Sequence, residues 1–214
     1  MSIENDQLKE WKTEFGKNYT DRNYMTVEEM DLLYLSNYGI TRTDLNKEFL
    51  KDFDKNIKIL EVGSNIGNQL LCLQNMGFSK LYGMEPQLYA IELSKKNTKL
   101  VNIIEGNAFD IPFRDNYFDL VFTSGVLIHI NPENISKALD EIYRCSNSYI
   151  WGFEYFVPEG YKMIQYREKG ELLWKTDFSK LFLDRFPDLC MIKTKIVKYT
   201  NSENKDIMYL LKKE

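Results

Sequence analysis

The sequence predicts an α/β fold: a three-layer sandwich with N-terminal helices and a seven-stranded, mostly parallel sheet that ends in an antiparallel hairpin. Two observations predict it. Between residues 57 and 156, short apolar runs alternate with amphipathic helical segments, which is typical of βαβ units. The last two strand-like segments are joined by the polar turn Thr200–Lys205, which is too short to hold a crossover helix.

Helices are predicted before the sheet, within residues 1–53, which we expect to form a helical cap or lid of the same domain. The main domain then spans residues 54–214. Thr26 and Glu29 fit the capping-box pattern S/T-x-x-E, which marks the start of a helix. That helix carries Met30, Leu32, Leu33 and Leu35. A second helix is predicted at 44–53, with one apolar face formed by Leu45, Phe49, Leu50 and Phe53.

The alternating segments follow in order along the chain. Strands are predicted at 57–62, 80–85, 100–105, 118–123 and 149–156. The helices between them are predicted at 67–76, 87–97 and 132–145. The almost wholly apolar run 118–123 indicates a central strand that is buried on both faces. A helix at 176–186 and the hairpin strands at 191–199 and 207–212 close the chain.

Composition restricts the function classes. The 214 residues are 43% hydrophobic and 28% charged, which is typical of one soluble globular domain. The net charge of −4 argues against a nucleic-acid partner. No apolar run approaches the roughly 20 residues of a membrane span, and the polar start is unlike a secretory signal. Without CxxC spacing, Cys72, Cys145 and Cys190 indicate neither a metal site nor disulfides, so we expect a cytoplasmic protein.

A glycine loop follows the first predicted strand, and an acidic residue ends the second. The loop reads Glu61-Val62-Gly63-Ser64-Asn65-Ile66-Gly67, and Glu85 lies 24 residues after Glu61. Glycines allow a tight turn and close approach of a ligand, and an acid at the end of strand two is placed to bind ribose hydroxyls. The middle glycine of the dinucleotide pattern G-x-G-x-x-G is missing. A ligand with ribose and adenine but no phosphate therefore fits better, and S-adenosylmethionine is such a ligand.

The segment 59–67 resembles motif I of class I S-adenosylmethionine-dependent methyltransferases, which have a Rossmann-like fold. Glu85 resembles their ribose-binding acid, 105–113 their third motif and 116–121 their entry to strand four. The resemblance runs from about 57 to 213 and departs at Asn107, where relatives commonly carry Asp; an amide oxygen can still accept a hydrogen bond from adenine. It implies S-adenosylhomocysteine as product. The expected cofactor-binding residues are Glu61, Gly63, Ser64, Asn65, Gly67, Glu85, Pro86, Asn107, Ala108, Phe109 and Ser124.

A narrower resemblance concerns the substrate. Segments 11–23, 154–156, 166–167 and 174–178 are similar to those of pseudaminic acid biosynthesis-associated methylases. The resemblance implies a sugar or nucleotide-sugar substrate from bacterial surface-glycan biosynthesis. Its expected binding residues are Arg22, Asn23, Tyr166 and Arg167. A guanidinium such as that of Arg167 can grip a carboxylate, although an ion pair with Glu168 or Glu171 on a surface loop is an equal alternative.

His129, Glu154 and Tyr155 are the candidate catalytic residues, because they follow predicted strands four and five at the edge where ligands bind. His129 is either a general base or a structural residue that caps the next helix or packs near the cofactor. Trp11, Phe15 and Tyr19 are spaced by four, which favours packing of a helix onto the core over ligand binding.

The sequence also bears on several other functions. The loop disfavours a nicotinamide dehydrogenase, and Thr123-Ser124-Gly125-Val126 lacks the Asn-Pro-Pro-aromatic run of base methyltransferases. No clustered acids support metal-assisted methylation. Methylation of another small molecule or of a protein side chain stays open, as does a non-catalytic S-adenosylmethionine-binding role. The oligomeric state is also open.

Overall fold

In a computed structural model, residues 6–164 and 173–214 are described, and their main feature is a seven-stranded sheet. Its strands are β1 (Lys58–Val62), β2 (Lys80–Glu85), β3 (Asn102–Glu105), β4 (Phe118–Ser124), β5 (Ser146–Tyr155), β8 (Leu189–Lys198) and β9 (Lys205–Lys213). The order across the sheet is β3-β2-β1-β4-β5-β9-β8. The first five strands are parallel and β9 is antiparallel to both of its neighbours, which confirms the predicted fold.

Helices cover both faces of this sheet. They are α1 (Asp6–Trp11), α2 (Glu14–Arg22), α3 (Val27–Tyr38), α4 (Arg42–Leu50), α5 (Asn68–Asn75), α6 (Leu88–Asn97), α7 (Pro132–Cys145) and α8 (Phe178–Arg185). A two-stranded ribbon pairs β6 (Lys162–Met163) with β7 (Trp174–Lys175). One apolar core lies on each face, and side chains from β1 and β4 enter both. Within the described residues, no helix has the length and apolar character needed to cross a bilayer.

The N-terminal helices are not all amphipathic helices with one buried apolar face. The capping box at Thr26 is present, with its hydroxyl accepting from the Glu29 N–H at 3.2 Å. On α3, however, only Met30 is buried, whereas Leu32 is 67% exposed. The four apolar residues at 30, 32, 33 and 35 do not follow helical spacing, so they cannot all face one side. By contrast α4 buries Leu45 and Leu50 completely against the sheet.

Several element ends differ from the predicted ones, at positions where the sequence signals are weak. β5 begins at Ser146, directly after α7, rather than at 149, and β8 begins at Leu189 rather than at 191. β9 begins at Lys205, inside the segment expected to be turn. Its register places Asp206 opposite Tyr155, at the carboxyl end of β5. An acidic residue from the last strand therefore lies at the edge where the parallel strands end.

Candidate active site

A cavity of about 380 Å³ lies at the carboxyl ends of β1, β2, β4 and β5. This is the edge where α/β sheets bind ligands, and the volume is in the range of small-molecule sites. Its floor includes the loop after β1, and α1, α2 and α3 provide the opposite wall through Trp11, Tyr19 and Tyr34. All the expected cofactor-binding residues except Gly67 line it.

The glycine loop folds back on β2. The Gly63 and Ser64 N–H groups both donate to the Met84 carbonyl, at 2.7 and 3.0 Å. Gly63 has φ +74°, and a Cβ there would lie 2.6 Å from the Val126 side chain. Gly67 does not line the cavity. Its φ of +81° places its backbone in the left-handed region at the start of α5. These two glycines therefore meet a backbone requirement that side-chain-bearing residues meet poorly.

Glu85 ends β2 and is 8% exposed. Its carboxylate accepts hydrogen bonds from the Asn65 N–H at 2.9 Å and the Gln87 N–H at 3.0 Å. Burial raises the pKa of Glu85 to about 7 against the lowering effect of these two donors. Each carboxylate oxygen has a second lone pair, so the group can hold the loop and still accept from ribose hydroxyls.

Asn107 lies in a tight turn after β3. Its side-chain oxygen accepts from the Phe109 N–H at 2.9 Å, and this turn presents Ala108 and Phe109 to the cavity. The oxygen expected to contact adenine is thus already engaged with the backbone. Asn107 therefore shapes this end of the cavity as well as lining it.

A buried arginine connects several elements near the loop. Arg42, at the start of α4, is fully buried and donates to Asn46, to Tyr34 and, at 3.2 Å, to the Ser124 hydroxyl. Its guanidinium lies 4.8 Å from the centre of the Phe153 ring. Its charge opposes the effect of burial, which raises the pKa of Glu61. Arg42 is not predictable as a buried residue from the sequence, because an arginine at the start of a polar helix looks like a surface residue.

His129 and Tyr155 line the cavity, whereas Glu154 does not. The Glu154 carboxylate accepts from the N–H groups of Val126 and Ile128, at 3.2 and 3.5 Å, in the turn after β4. Burial raises its pKa to about 7. Glu154, predicted to act on the substrate, therefore lies outside the cavity lining: it follows Phe153 on the opposite face of β5 and bonds the backbone around the 3-10 turn Leu127–His129.

The aromatic residues of the first two helices surround His129. The Trp11 ring lies 4.7 Å from the His129 ring and 5.2 Å from the Tyr19 ring. Trp11 and Tyr19 both line the cavity, although their spacing favoured plain core packing. The helix breaks between α1 and α2, so the expected continuous face does not exist. The break places Gly16 so close to the Trp11 carbonyl that a Cβ would collide with it.

The four expected substrate-binding residues are not gathered in one place. Asn23 lines the cavity and its carbonyl accepts from the Asn68 side chain at 3.0 Å. Arg22 is exposed at the end of α2 and is outside the lining. Tyr166 and Arg167 lie outside the described residues.

A polar group that the sequence analysis missed lies at the other end of the cavity. Asp206 is fully buried and lines the cavity together with Tyr38 and Tyr199. Its Oδ2 accepts from the Tyr38 hydroxyl at 2.5 Å and from the Tyr199 hydroxyl at 3.3 Å. The only sequence signal is an acid between the predicted turn Thr200–Lys205 and the apolar run 207–211.

Comparison with known proteins agrees with this geometry. Residues 60–148 match a family model described as a methyltransferase domain. The chain is 25% identical over 140 residues to phosphoethanolamine N-methyltransferase of Plasmodium falciparum. That match covers 60% of this chain and spans about half of the relative, 52% of its length.

Solved structures share the fold. A Pyrococcus horikoshii protein superposes with a TM-score of 0.68 at 16% identity, covering 94% of this chain and 99% of that one. The 1,6-didemethyltoxoflavin-N1-methyltransferase of Burkholderia thailandensis, solved with S-adenosylhomocysteine, gives 0.69 at 12% identity, with 94% and 85% covered. Residues 60–148 therefore resemble a methyltransferase domain, and the chain has a fold that S-adenosylmethionine-dependent methyltransferases share.

Proposed function

We propose that this protein transfers the methyl group of S-adenosylmethionine to a sugar or nucleotide sugar used in bacterial surface-glycan synthesis. The observation that carries the proposal is that one continuous cavity is lined by the glycine loop and Glu85 and also by a polar wall of Tyr38, Tyr199 and Asp206. One end matches the donor's expected site, and the other offers hydroxyl and carboxylate groups to a hydroxyl-rich acceptor. The sequence resemblance to pseudaminic acid biosynthesis-associated methylases is the basis for the surface-glycan pathway.

The loop residues fit the donor chemically. Glu61 Oε2 and Ser64 Oγ are buried in the cavity wall and have no hydrogen-bond partner within the described part of the chain. Buried polar atoms of this kind normally have partners. The amino and ribose hydroxyl groups of the donor can supply them, while Glu85 accepts from the ribose. When bound, the donor supplies an electrophilic methyl group on a sulfonium.

The protein's task in such a transfer is alignment, because the leaving group is already activated. Trp11 and Tyr19 line the cavity and pack edge to face against the His129 ring, and this aromatic wall leaves less room for water beside the donor. His129 and Tyr155, which line the cavity, are placed to orient the acceptor. Arg42 holds Ser124 through a hydrogen bond and so fixes the end of β4.

Methylation of another small molecule is the main alternative. It is favoured by the similarity to phosphoethanolamine N-methyltransferase, although this chain spans about half of that protein. A protein side chain as acceptor and a non-catalytic cofactor-binding role remain weaker candidates.

The test begins with calorimetric titration of the purified chain with S-adenosylmethionine and, separately, with NAD. We expect micromolar binding of S-adenosylmethionine and none of NAD. The chain is then incubated with S-adenosylmethionine and UDP-N-acetylglucosamine, GDP-mannose or CMP-N-acetylneuraminic acid, with products detected by mass spectrometry. Binding without methylation of any nucleotide sugar would contradict the substrate class, and absence of S-adenosylmethionine binding would contradict the enzyme itself.

A further inference from the structure

We propose that Asp206 is a catalytic residue that binds the acceptor hydroxyl of the substrate and takes its proton during methyl transfer. This inference rests on the proposed function and specifies its chemistry as transfer to oxygen. It also assigns the proton-accepting role to a residue of the last strand pair rather than to His129 or Glu154.

The two oxygens of Asp206 have different surroundings. Oδ2 accepts from Tyr38 and Tyr199, whose hydroxyls are themselves 2.9 Å apart. Oδ1 is buried and has no hydrogen-bond partner among the residues that the structure describes. Because a buried acceptor without a partner is costly, its persistence in a ligand cavity points to a donor that the substrate brings.

The position of Asp206 suits a reaction at the end of the donor site. The residue pairs with Tyr155 at the carboxyl end of β5, and Phe153 on the same strand pairs with Ser124 of β4. Asp206 thus belongs to the same sheet edge as the loop that carries Gly63. Tyr38 and Tyr199 hold Oδ2 in place by hydrogen bonds, and this fixes the orientation of the carboxylate and therefore the position of Oδ1.

The charges around Asp206 favour a neutral donor over a cationic one. The ionisable groups that face it are Tyr34 and Tyr38 on α3, Arg42 on α4, Tyr155 on β5, Lys175 on β7 and Tyr199 after β8. Two of these, Arg42 and Lys175, are cations, and Lys175 already lies over the Tyr155 ring. These two positive charges already exceed the single negative charge of Asp206, so a third would be uncompensated. A hydroxyl is accommodated, and an ammonium group is disfavoured.

The step balances in atoms and charge. The hydroxyl oxygen forms a bond to the transferred carbon, and the carbon–sulfur bond breaks with its electron pair remaining on sulfur. The hydroxyl proton moves to Asp206 Oδ1, which leaves a neutral carboxylic acid. Asp206 later releases this proton to water. Burial raises the pKa of Asp206 to about 6, against the lowering by Tyr38, Tyr199, Lys175 and Arg42, so the group is ionised and ready to accept at neutral pH.

The experiment compares the wild-type chain with Asp206→Asn, using the nucleotide sugar that the wild type methylates. We expect Asp206→Asn to bind S-adenosylhomocysteine within twofold of the wild type in calorimetry, which also shows that it folds. Its single-turnover rate should fall by about 100- to 10,000-fold, and the loss of rate below pH 6 should disappear from its profile. A nucleotide-sugar titration in the presence of S-adenosylhomocysteine should show weakened acceptor binding.

Two further variants serve as a control and as an independent check of the role of Asp206. Asp188→Asn is the matched control, because Asp188 also accepts from a tyrosine hydroxyl, that of Tyr143, but lies outside the cavity. It should leave the rate unchanged. Tyr38→Phe removes a hydrogen bond that lowers the pKa of Asp206, so it should move the acidic limb of the profile to higher pH.

The outcomes separate this inference from the function on which it rests. A rate for Asp206→Asn within twofold of the wild type, an acidic limb that vanishes in His129→Asn instead, or methylation of nitrogen would each overturn the inference while leaving a working methyltransferase. A wild-type chain that methylates none of the nucleotide sugars would overturn both the inference and the proposed substrate class.

Discussion

At the scale of single residues, the site depends on buried acids whose neighbours are backbone N–H groups. Glu85 and Glu154 look alike in the sequence, each at the end of a strand, yet they face different surroundings. Glu85 lies in the cavity wall and bonds the glycine loop, whereas Glu154 bonds the turn after β4 and is outside the lining. Glu85 is thus placed to touch a ligand directly, and Glu154 to position residues that do.

Replacing Glu85 by alanine should weaken S-adenosylmethionine binding by roughly 10- to 150-fold, because a hydrogen bond to a charged group contributes about 1.5–3 kcal/mol. Calorimetric titration measures the change. Glu105→Ala is the matched control, since Glu105 pairs with Glu85 across β2 and β3 but is exposed and outside the cavity. Equal losses in both variants would refute a specific role for Glu85.

At the scale of elements, the loop after β1 and the helices above it are tied together. The Asn65 side chain donates to the Thr20 hydroxyl at 3.2 Å, and Tyr89 on α6 donates to Asp21 at 2.6 Å. These contacts anchor α2 over the loop. The proposal that residues 1–53 include a lid therefore applies most directly to α1 and α2, since α4 is part of the core.

The Gly63→Ala variant should unfold at lower urea concentration than the wild type. A Cβ at this position both meets Val126 and requires a left-handed backbone. Gly160→Ala provides the comparison, because Gly160 has φ +64° but nothing within 4 Å of its added Cβ. We expect Gly63→Ala to be less stable than Gly160→Ala by about 1–3 kcal/mol. Similar stabilities would show that the loop relaxes around the added methyl group.

Hydrogen exchange tests the lid. If α2 must open to release the donor, S-adenosylhomocysteine at 100 times its Kd should slow the amides of residues 14–22 by up to about 100-fold. The amides of α8, which packs against β8 and contributes no residue to the cavity lining, serve as the internal reference. Unchanged exchange in α2 would mean that these helices are a fixed wall rather than a lid.

At the scale of the whole molecule, buried acids with raised pKa values gather at one edge of the sheet, two of them in the cavity lining and Glu154 beside it. Glu85 and Glu154 rise from 4.5 to about 7, and Asp206 rises from 3.8 to about 6. In each case the folded chain holds its proton to a higher pH than the unfolded chain does. Their contribution to stability is therefore present at low pH and is lost as pH rises through this window.

The ligand-free protein should accordingly lose stability between about pH 5 and pH 7. One group that is fully within its window changes the free energy of unfolding by about 1.4 kcal/mol per pH unit. Thermal unfolding measured across this range checks the slope, and Asp206→Asn should make it shallower below pH 6. A stability that rises with pH would show that these acids are ionised at ordinary pKa values in the folded protein.

The fold was predictable because its signals are local: strand runs, the capping box at Thr26 and the glycine loop are read within a few residues. The same holds for Glu85, whose place follows from its position after β2. The sequence alone thus determined the sheet, its terminal hairpin and the end of the cavity formed by the glycine loop and Glu85. The opposite end, at Asp206, was decided by tertiary structure. Three features depend on contacts between residues distant in sequence: the antiparallel register that puts Asp206 beside Tyr155, the burial of Arg42, and the orientation of Glu154 away from the cavity. Packing between separate elements leaves no periodic pattern in the chain, so these features could not be predicted from it.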